Sequence, residues 1–273
     1  MKNLVSTDWL EKNIDNVRIL DGTWHMPSTK RNAASEFSTF HITNSIFLDL
    51  DKTSEQDSLL PHMLPSKDYW ENTISKAGIK NSDHIVIYDN SDVISSCRFW
   101  YNFLYFGHSP NLVSVLNGGF KKWLKEEKVI TNDIKSFSKS SYCALENKNM
   151  VLSKDQINQN IANKTFELID ARNKERFQGL HPEPRKELVS GNIEGSKNVF
   201  FMELINKNDN TFKNIQEIKL IFDKLKLDVD KDIAFTCGSG VTACILGLAN
   251  SIISDKNPVI YDGSWSEYGL KYK

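Results

Sequence analysis

One cysteine of this 273-residue chain occupies a position at which a reactive thiol is expected. Cys237 follows the apolar run 233–236 (IAFT), opens the segment 237–243 (CGSGVTA) and precedes a second apolar run at 244–249. This order predicts a buried strand, a tight turn and a helix, with Cys237 at the carboxyl end of the strand. Open α/β sheets hold their sites at that end, so the pattern favours a functional role for Cys237.

The residues that follow Cys237 suit an anionic sulfur. Gly238 and Gly240 let the backbone curl so that its N–H groups point inward, and a helix beginning near Val241 adds the positive end of its dipole. We therefore expect Cys237 to be largely thiolate at neutral pH, with the loop amides through Thr242 stabilising an anionic adduct on its sulfur. The alternative is a glycine-rich turn that happens to begin with a buried cysteine.

Two other kinds of cysteine site fit this chain poorly. Phosphatase loops need an Arg six positions after the cysteine, and that position is Ala243, which has no guanidinium to hold a phosphate. Cys97, Cys143 and Cys244 are scattered, so neither a zinc site nor a disulfide framework is indicated. We expect these thiols to be mostly small core residues.

The composition argues against several classes of protein. The chain has 34 Lys and Arg against 35 Asp and Glu, a net charge of −1, so it offers no basic field for nucleic acid. No apolar run reaches the roughly 18 residues that a membrane span requires. The start of the chain has no apolar region of the signal-peptide kind. We therefore expect a cytoplasmic protein that binds neither nucleic acid nor membrane.

The chain reads as a duplication of one α/β unit. Each repeated segment is a short apolar run closed by small or polar residues, as expected for buried strands of a parallel sheet. Three segments of the first half recur in order in the second half: 17–21 with 166–170, 85–89 with 233–237, and 115–118 with 260–263. Helical patterns lie between them, one after Ser66, one at 95–106 and one at 215–225.

We therefore predict two tandem domains, each with a mainly parallel sheet flanked by helices. The polar stretch 131–149 is the predicted linker between a first domain at 1–130 and a second domain at 150–273. Asp89 stands in the first domain where Cys237 stands in the second. Because a carboxylate cannot carry sulfur, the first domain is predicted to be non-catalytic.

The loop 237–243 resembles the active-site loop of 3-mercaptopyruvate sulfurtransferases in the two-domain rhodanese family. The resemblance spans nearly the whole chain and implies two rhodanese-like domains. Thiosulfate sulfurtransferases of the family usually carry Arg and Lys directly after the cysteine, where this chain has Gly238 and Ser239, so the loop favours the mercaptopyruvate branch. Four further segments carry the resemblance: 62–65 (HMLP), 168–172 (LIDAR), 183–185 (EPR) and 261–269 (YDGSWSEYG).

The resemblance implies roles for individual residues. Cys237 is the nucleophile that holds the transferred sulfur as a persulfide, and Arg176 and Arg185 bind the substrate. A 2-oxo acid presents a carboxylate and a carbonyl, which guanidinium groups bind with directed N–H donors. Each arginine taken alone also fits a solvated surface charge.

Ser239, His62 and Asp51 match a Ser-His-Asp constellation described for the mercaptopyruvate branch. In such an arrangement the Asp orients the His, which polarises the Ser and moves a proton during transfer. Asp51 and His62 come from the first half of the chain, so the constellation implies a cleft between two domains. The alternative is that His62, beside two prolines, serves only packing or lies at the surface.

The expected activity is transfer of sulfur from 3-mercaptopyruvate through a Cys237 persulfide, with release of pyruvate. The expected acceptor is a thiol, such as that of a thioredoxin-like protein, or cyanide, and no metal or organic cofactor is required. Two alternatives stay open at this point: a sulfurtransferase that prefers thiosulfate, and a non-enzymatic sulfur carrier built on a duplicated rhodanese fold.

Overall fold

The structure, a computed structural model, describes residues 3–271. The outermost residues of the two predicted domains, 1–2 and 272–273, lie outside the described residues. The chain divides into two compact units. The first comprises the chain up to Gln56 with Leu64–Asn147 and Lys207–Thr211, and the second comprises Asp57–Met63, Lys148–Asn206 and the chain from Phe212 onwards.

A parallel sheet lies at the centre of the first unit. The strands of the unit are β1 (Leu4–Val5), β2 (Arg18–Asp21), β3 (His41–Ile42), β4 (Ser45–Phe47), β5 (Ile85–Tyr88), β6 (Val113–Leu116) and β7 (Ile130–Thr131). Five of them stand in the order β1-β6-β5-β2-β4, all parallel, while β3 and β7 pair antiparallel. The strands β5 and β6 are buried along their whole length, as the continuous apolar runs predict.

The helices of the first unit are α1 (Thr7–Asn13), α2 (Ala33–Thr39), α3 (Leu50–Thr53), α4 (Lys67–Lys76), α5 (Ser96–Tyr105) and α6 (Gly119–Lys125).

The second unit has the same architecture. Its strands are β8 (Val151–Leu152), β9 (Phe166–Asp170), β10 (Lys197–Asn198), β11 (Asp232–Thr236) and β12 (Val259–Tyr261), all parallel in the order β10-β9-β11-β12-β8. Its helices are α7 (Lys154–Asn163), α8 (Lys174–Phe177), α9 (Ile215–Asp223), α10 (Ala243–Ser254) and α11 (Ser264–Tyr268). None of the helices within residues 3–271 is long and apolar enough to cross a membrane.

Local side-chain contacts explain where several helices begin. The hydroxyl of Ser66 accepts a hydrogen bond from the amide of Tyr69, which caps α4 as predicted. Asn214 and Glu217 form a capping box at the start of α9. The helix expected from about Val241 begins at Ala243, because the loop first continues through Gly240 in the left-handed conformation, with φ of 76°.

The internal repeat appears in the backbone as well as in the sequence. In the first unit, the amide of Phe120 donates to the carbonyl of Asp89 at 2.9 Å. In the second unit, the amide of Trp265 donates to the carbonyl of Cys237 at 3.0 Å. Each bond ties the residue after a central strand to the beginning of a helix that follows the next strand of the sheet. The two units therefore present their strand ends in the same way.

The stretch 131–147 belongs to the first unit and packs against the rest of it. The amide of Ser140 donates to the carbonyl of Ser75 at 2.9 Å, and the amide of Leu145 donates to the carbonyl of Phe106 at 3.0 Å. Tyr142 is 4% exposed. A polar, weakly periodic sequence does not reveal backbone hydrogen bonds of this kind. Its composition alone predicts a flexible linker.

Asp21 and Asp170 end corresponding strands in different electrostatic surroundings. Asp170 accepts hydrogen bonds from the guanidinium of Arg172 at 2.7 to 3.1 Å. Asp21 instead accepts from neutral donors, the amide of Thr23 at 2.9 Å and the hydroxyl of Thr23. Burial outweighs these bonds and raises the pKa of Asp21 from 3.8 to about 6, and the charge of Asp89 adds to the rise.

We expect Asp21→Asn to raise the free energy of unfolding at neutral pH. Folding raises the pKa of Asp21, so the protonated carboxyl group stabilises the folded state relative to the ionised one. This contribution to the free energy of unfolding is fully present below pH 3.8 and is lost as the pH rises through about 6. The shift corresponds to a penalty of about 3 kcal/mol at neutral pH. The amide oxygen of Asn can still accept from Thr23. Urea unfolding curves recorded between about pH 4 and about pH 7 measure the difference from wild type.

Asp170→Asn is the matched control at the corresponding position of the repeat. Removing that carboxylate charge leaves the buried Arg172 short of a counter-ion, so we expect this variant to lose about 3–5 kcal/mol at neutral pH. If the stability difference between Asp21→Asn and wild type stayed constant across the pH range, the burial of a charged Asp21 would be contradicted.

Candidate active site

Cys237 is the first residue after β11, in the turn that leads to α10. It lies at the carboxyl end of a central strand of its sheet, where the sequence pattern predicts it. Backbone bonds from α11 hold the turn: Trp265 donates its amide to Cys237, and Ser266 donates its amide to the carbonyl of Gly238 at 2.8 Å. Cys237 is only 2% exposed.

The hydroxyl of Ser264 holds two amides of the loop. Its Oγ accepts from the amide of Cys237 at 3.2 Å and from the amide of Gly240 at 3.1 Å, and it donates to the carbonyl of Tyr261 at 2.8 Å. Ser264 is fully buried and has a left-handed φ of 49°, which is uncommon for a residue other than glycine. The sequence analysis did not single out Ser264, although it lies in the segment 261–269.

Other amides of the loop have no acceptor within the protein. Those of Ser239, Val241 and Thr242 donate to no acceptor among residues 3–271. The expectation that the whole loop offers its amides to the sulfur is therefore met only in part, since Ser264 takes two of them. The remaining amides, with the positive end of α10, suit a bound anion.

Four charged residues form a buried ion network beside this loop. Asp170 pairs with Arg172, and Arg172 donates from Nη1 to Oε1 of Glu183 at 2.8 Å. Glu183, whose side chain is 1% exposed, also accepts from Nη2 of Arg176 at 2.6 Å and from its Nε at 3.3 Å. Glu183 thus joins the two arginines and fixes the direction of Arg176. The segment 183–185 was noted for its resemblance, but nothing in the sequence shows this pairing.

Both predicted substrate-binding arginines lie near the cysteine loop. A Cβ placed on Gly238 would stand 3.3 Å from Nη2 of Arg176, so glycine leaves room for that guanidinium. The Arg176 side chain is 24% exposed and therefore has a free face as well as its bonds to Glu183. Burial lowers the pKa of Arg185, and among the charges that act on this guanidinium are those of Glu187, Arg176 and Cys237.

His62 and Ser239 are in hydrogen-bond contact. Nδ1 of His62 lies 2.9 Å from Oγ of Ser239, and His62 is 4% exposed. The segment Asp57–Met63 belongs to the second compact unit although it comes from the first half of the chain. This pair is therefore assembled inside the second unit, and its geometry allows an imidazole to exchange a proton with the hydroxyl.

Asp51 and Asp89 belong to the first unit. The carboxylate of Asp51 accepts from the indole N–H of Trp24, with 3.1 Å to each oxygen, and its role toward His62 stays a prediction. The carboxylate of Asp89 accepts from the amides of Ser91 at 2.8 Å and Ser96 at 3.1 Å. Burial raises the pKa of Asp89. At the position that corresponds to Cys237, the first unit thus has a carboxyl group engaged by its own loop.

The arrangement in the second unit combines a nucleophile with groups that bind anions. It brings together a thiol, two guanidinium groups, unsatisfied amides and a hydroxyl–imidazole pair. Within residues 3–271, no three His, Cys, Asp or Glu side chains are grouped so as to hold a metal ion. Such a constellation suits covalent catalysis on a small anionic substrate.

Known proteins resemble the chain over nearly its whole length. Residues 6–126 and 153–271 match the family model of the rhodanese-like domain. Thiosulfate/3-mercaptopyruvate sulfurtransferase 2 of Arabidopsis thaliana is 37% identical over 288 residues, covering 97% of this chain and 83% of the relative. Thiosulfate sulfurtransferase of Rattus norvegicus is 36% identical over 274 residues, covering 97% and 91%.

The fold agrees with solved structures of the same kind. The crystal structure of SseA from Escherichia coli, presented with the rhodanese fold and mechanism of 3-mercaptopyruvate sulfotransferases, has a TM-score of 0.87 and 30% identity. The match covers 98% of this chain and 100% of that chain. The prediction of two tandem rhodanese-like domains with parallel sheets is confirmed.

We expect Ser264→Ala to destabilise the second unit through the loop. The substitution leaves the buried amides of Cys237 and Gly240 without their acceptor, at about 1–3 kcal/mol for each group. Thermal and urea unfolding measure the loss. Ser266→Ala is the matched control on the same helix, because its hydroxyl only donates to the carbonyl of Gly263 at 2.8 Å. Equal losses in the two variants would show that Ser264 has no special part in holding the loop.

Proposed function

The chain belongs to the rhodanese family and is a two-domain sulfurtransferase, and we propose that its sulfur donor is 3-mercaptopyruvate. The observation that carries this proposal is the pair of guanidinium groups, Arg176 and Arg185, beside a cysteine loop whose next residues are uncharged. A 2-oxo acid needs donors for its carboxylate and its carbonyl, and two arginines supply both. Thiosulfate has neither group.

In the proposed first half-reaction, the Cys237 thiolate attacks the sulfur atom of 3-mercaptopyruvate. A sulfur–sulfur bond forms as the carbon–sulfur bond breaks, and the electron pair of that bond moves onto carbon as the enolate of pyruvate. The proton of the substrate thiol passes to His62, so that the persulfide is left as an anion. Arg176 and Arg185 hold the carboxylate and the developing enolate oxygen. The amides of Ser239, Val241 and Thr242 stabilise the negative charge of the persulfide that remains on Cys237.

The enolate needs a proton at carbon to become pyruvate. The hydroxyl of Ser239, in contact with His62, is positioned to supply it, with His62 returning a proton to the serine. Asp51 is proposed to favour the charged form of His62 during this step. In the proposed binding of the donor, Gly238 leaves space for the guanidinium of Arg176, and Gly240 allows the left-handed turn of the loop.

In the second half-reaction, an acceptor thiolate attacks the outer sulfur of the persulfide. A new sulfur–sulfur bond forms on the acceptor and the Cys237 thiolate leaves, so the enzyme returns to its starting state. We propose a thiol acceptor, such as a thioredoxin-like protein, and in an assay cyanide becomes thiocyanate by the same attack.

The cytoplasm remains our proposed compartment. A relative from Arabidopsis thaliana at 36% identity is named as mitochondrial, so fractionation of cells must decide it.

Thiosulfate is the second candidate donor. Relatives named for thiosulfate are as similar to the chain as those named for 3-mercaptopyruvate, at 36% and 34% identity in Rattus norvegicus. Similarity at this level therefore does not decide between donors. The residues directly after Cys237 favour 3-mercaptopyruvate over thiosulfate, because Gly238 and Ser239 provide no cation for the thiosulfate dianion.

Steady-state kinetics with both donors test the proposal. We expect wild type to have a higher kcat/KM for 3-mercaptopyruvate than for thiosulfate, with cyanide as acceptor in both assays. Cys237→Ser should lose at least about a thousandfold in activity on either donor, since a hydroxyl does not form a persulfide. Cys143→Ser is the matched control, because Cys143 is an exposed thiol of the first unit, and it should retain wild-type rates.

Intact mass measured after exposure to the donor tests access to the buried sulfur. Wild type should gain the mass of one sulfur atom and lose it again when cyanide is added, and Cys237→Ser should gain nothing. A higher efficiency on thiosulfate would overturn the donor assignment. A chain that takes up one sulfur without turning over would be a carrier. Full activity of Cys237→Ser would refute the proposed chemistry altogether.

Ser239→Ala should affect the two donors unequally. Only 3-mercaptopyruvate leaves as a carbanion that needs a proton, whereas thiosulfate leaves as sulfite, which needs none. We therefore expect kcat with 3-mercaptopyruvate to fall by about 10²-fold, as for removal of a general acid, with little change for thiosulfate. His62→Ala should do the same, with the exposed His181→Ala as its control. Equal losses with both donors would mean that the pair only shapes the loop.

A further inference from the structure

A cavity of the first unit corresponds to a space that an arginine side chain fills in the second unit. Asp21 and Asp170 end corresponding strands, and each accepts the amide of the residue two positions later. The distances are 2.9 Å from Thr23 to Oδ1 of Asp21 and 2.8 Å from Arg172 to Oδ1 of Asp170. The backbone around the two carboxylates is therefore alike, and Thr23 occupies the position that Arg172 has in the second unit.

In the second unit, a guanidinium fills the space in front of the carboxylate. Arg172 binds both oxygens of Asp170, and its Nη2 also donates to the carbonyl of Gly191 at 2.8 Å. The central carbon of this guanidinium lies 4.5 Å from the centre of the Trp265 ring. A carboxylate on one side and an aromatic face on another thus enclose a planar cation.

In the first unit, the corresponding space is a cavity of about 270 Å³. Asp21 and Thr23 form one wall, and Phe120, which corresponds to Trp265, contributes an aromatic ring. Threonine is too short to fill the space that an arginine side chain would occupy. The carboxylate and the aromatic wall are thus kept, and threonine stands where the second unit has an arginine.

The charges around the cavity favour a cationic occupant. Arg31 also lines it, but this guanidinium is bound by Glu36 at 2.7 Å through both Nε and Nη2. Glu36 further accepts from the side-chain amide of Asn90 at 3.0 Å. The pair of Arg31 and Glu36 is neutral, so the lining keeps the negative charge of Asp21, whose pKa is raised because no cation offsets its burial.

We propose that this cavity binds a small guanidinium compound, with its planar cation on Asp21 and against the ring of Phe120. The bound guanidinium would pair with the carboxylate of Asp21 as the side chain of Arg172 pairs with the carboxylate of Asp170. A guanidinium fits better than an ammonium because the carboxylate accepts two parallel N–H donors from a planar fork. The site does not depend on which sulfur donor the second unit takes.

Isothermal titration of the whole chain with methylguanidinium tests the site. The titration is run at constant ionic strength so that screening does not change along it, and methylammonium serves as the comparison ligand. We expect saturable millimolar binding of one methylguanidinium per chain, about tenfold tighter than methylammonium. Asp21→Asn should remove binding, and Thr23→Ala, which leaves carboxylate and cavity in place, should retain it.

Thr23→Arg supplies the missing side chain and does not depend on the folding of Asp21→Asn. The new guanidinium should occupy the cavity as Arg172 occupies the corresponding space, abolish methylguanidinium binding and raise the melting temperature at neutral pH. Thr23→Leu fills space without charge and should block binding with no such rise. Binding of equal strength in wild type, Thr23→Arg and Asp21→Asn would overturn the proposal, as would the absence of saturable binding to wild type.

Discussion

A buried charge is tolerated only when it is paired, and this requirement shapes the second unit. Asp170, Arg172, Glu183 and Arg176 form a continuous line of ion pairs in which Glu183 serves both arginines. Arg172 and Glu183 are almost fully buried, whereas Arg176 at the end of the line retains an exposed face. The network thus fixes Arg176, whose guanidinium stands against the cysteine loop, relative to the end of the strand.

The two units share a backbone and differ in charge. Where the second unit pairs Asp170 with Arg172, the first unit surrounds Asp21 with neutral donors. Where the second unit has Cys237, the first unit has Asp89, whose carboxyl group is engaged by nearby amides. Duplication therefore preserved the scaffold, which depends on the sheet and its hydrogen bonds, while single side chains at the strand ends changed the chemistry.

The cysteine loop divides its amides between structure and chemistry. Ser264 accepts two of them and connects the loop to the start of α11, so the turn has a defined shape before any ligand arrives. Ser239, Val241 and Thr242 keep amides without a protein acceptor among residues 3–271. Donors held in place in advance stabilise negative charge without having to reorganise, which is the property that a sulfur-carrying thiolate requires.

Much of this protein could be predicted from the sequence, and the boundary of that prediction is physical. Apolar runs and their closing residues locate the central strands, the repeat and the position of Cys237, because burial and secondary structure leave a local periodic pattern. The hydrogen bond between His62 and Ser239 joins residues 177 positions apart. It lies within the second unit, which includes Asp57–Met63 from the first half of the chain. Such a contact leaves no periodic trace. The pairing of Glu183 with two arginines and the role of Ser264 were likewise decided only by the tertiary structure, because they depend on the path of the folded chain.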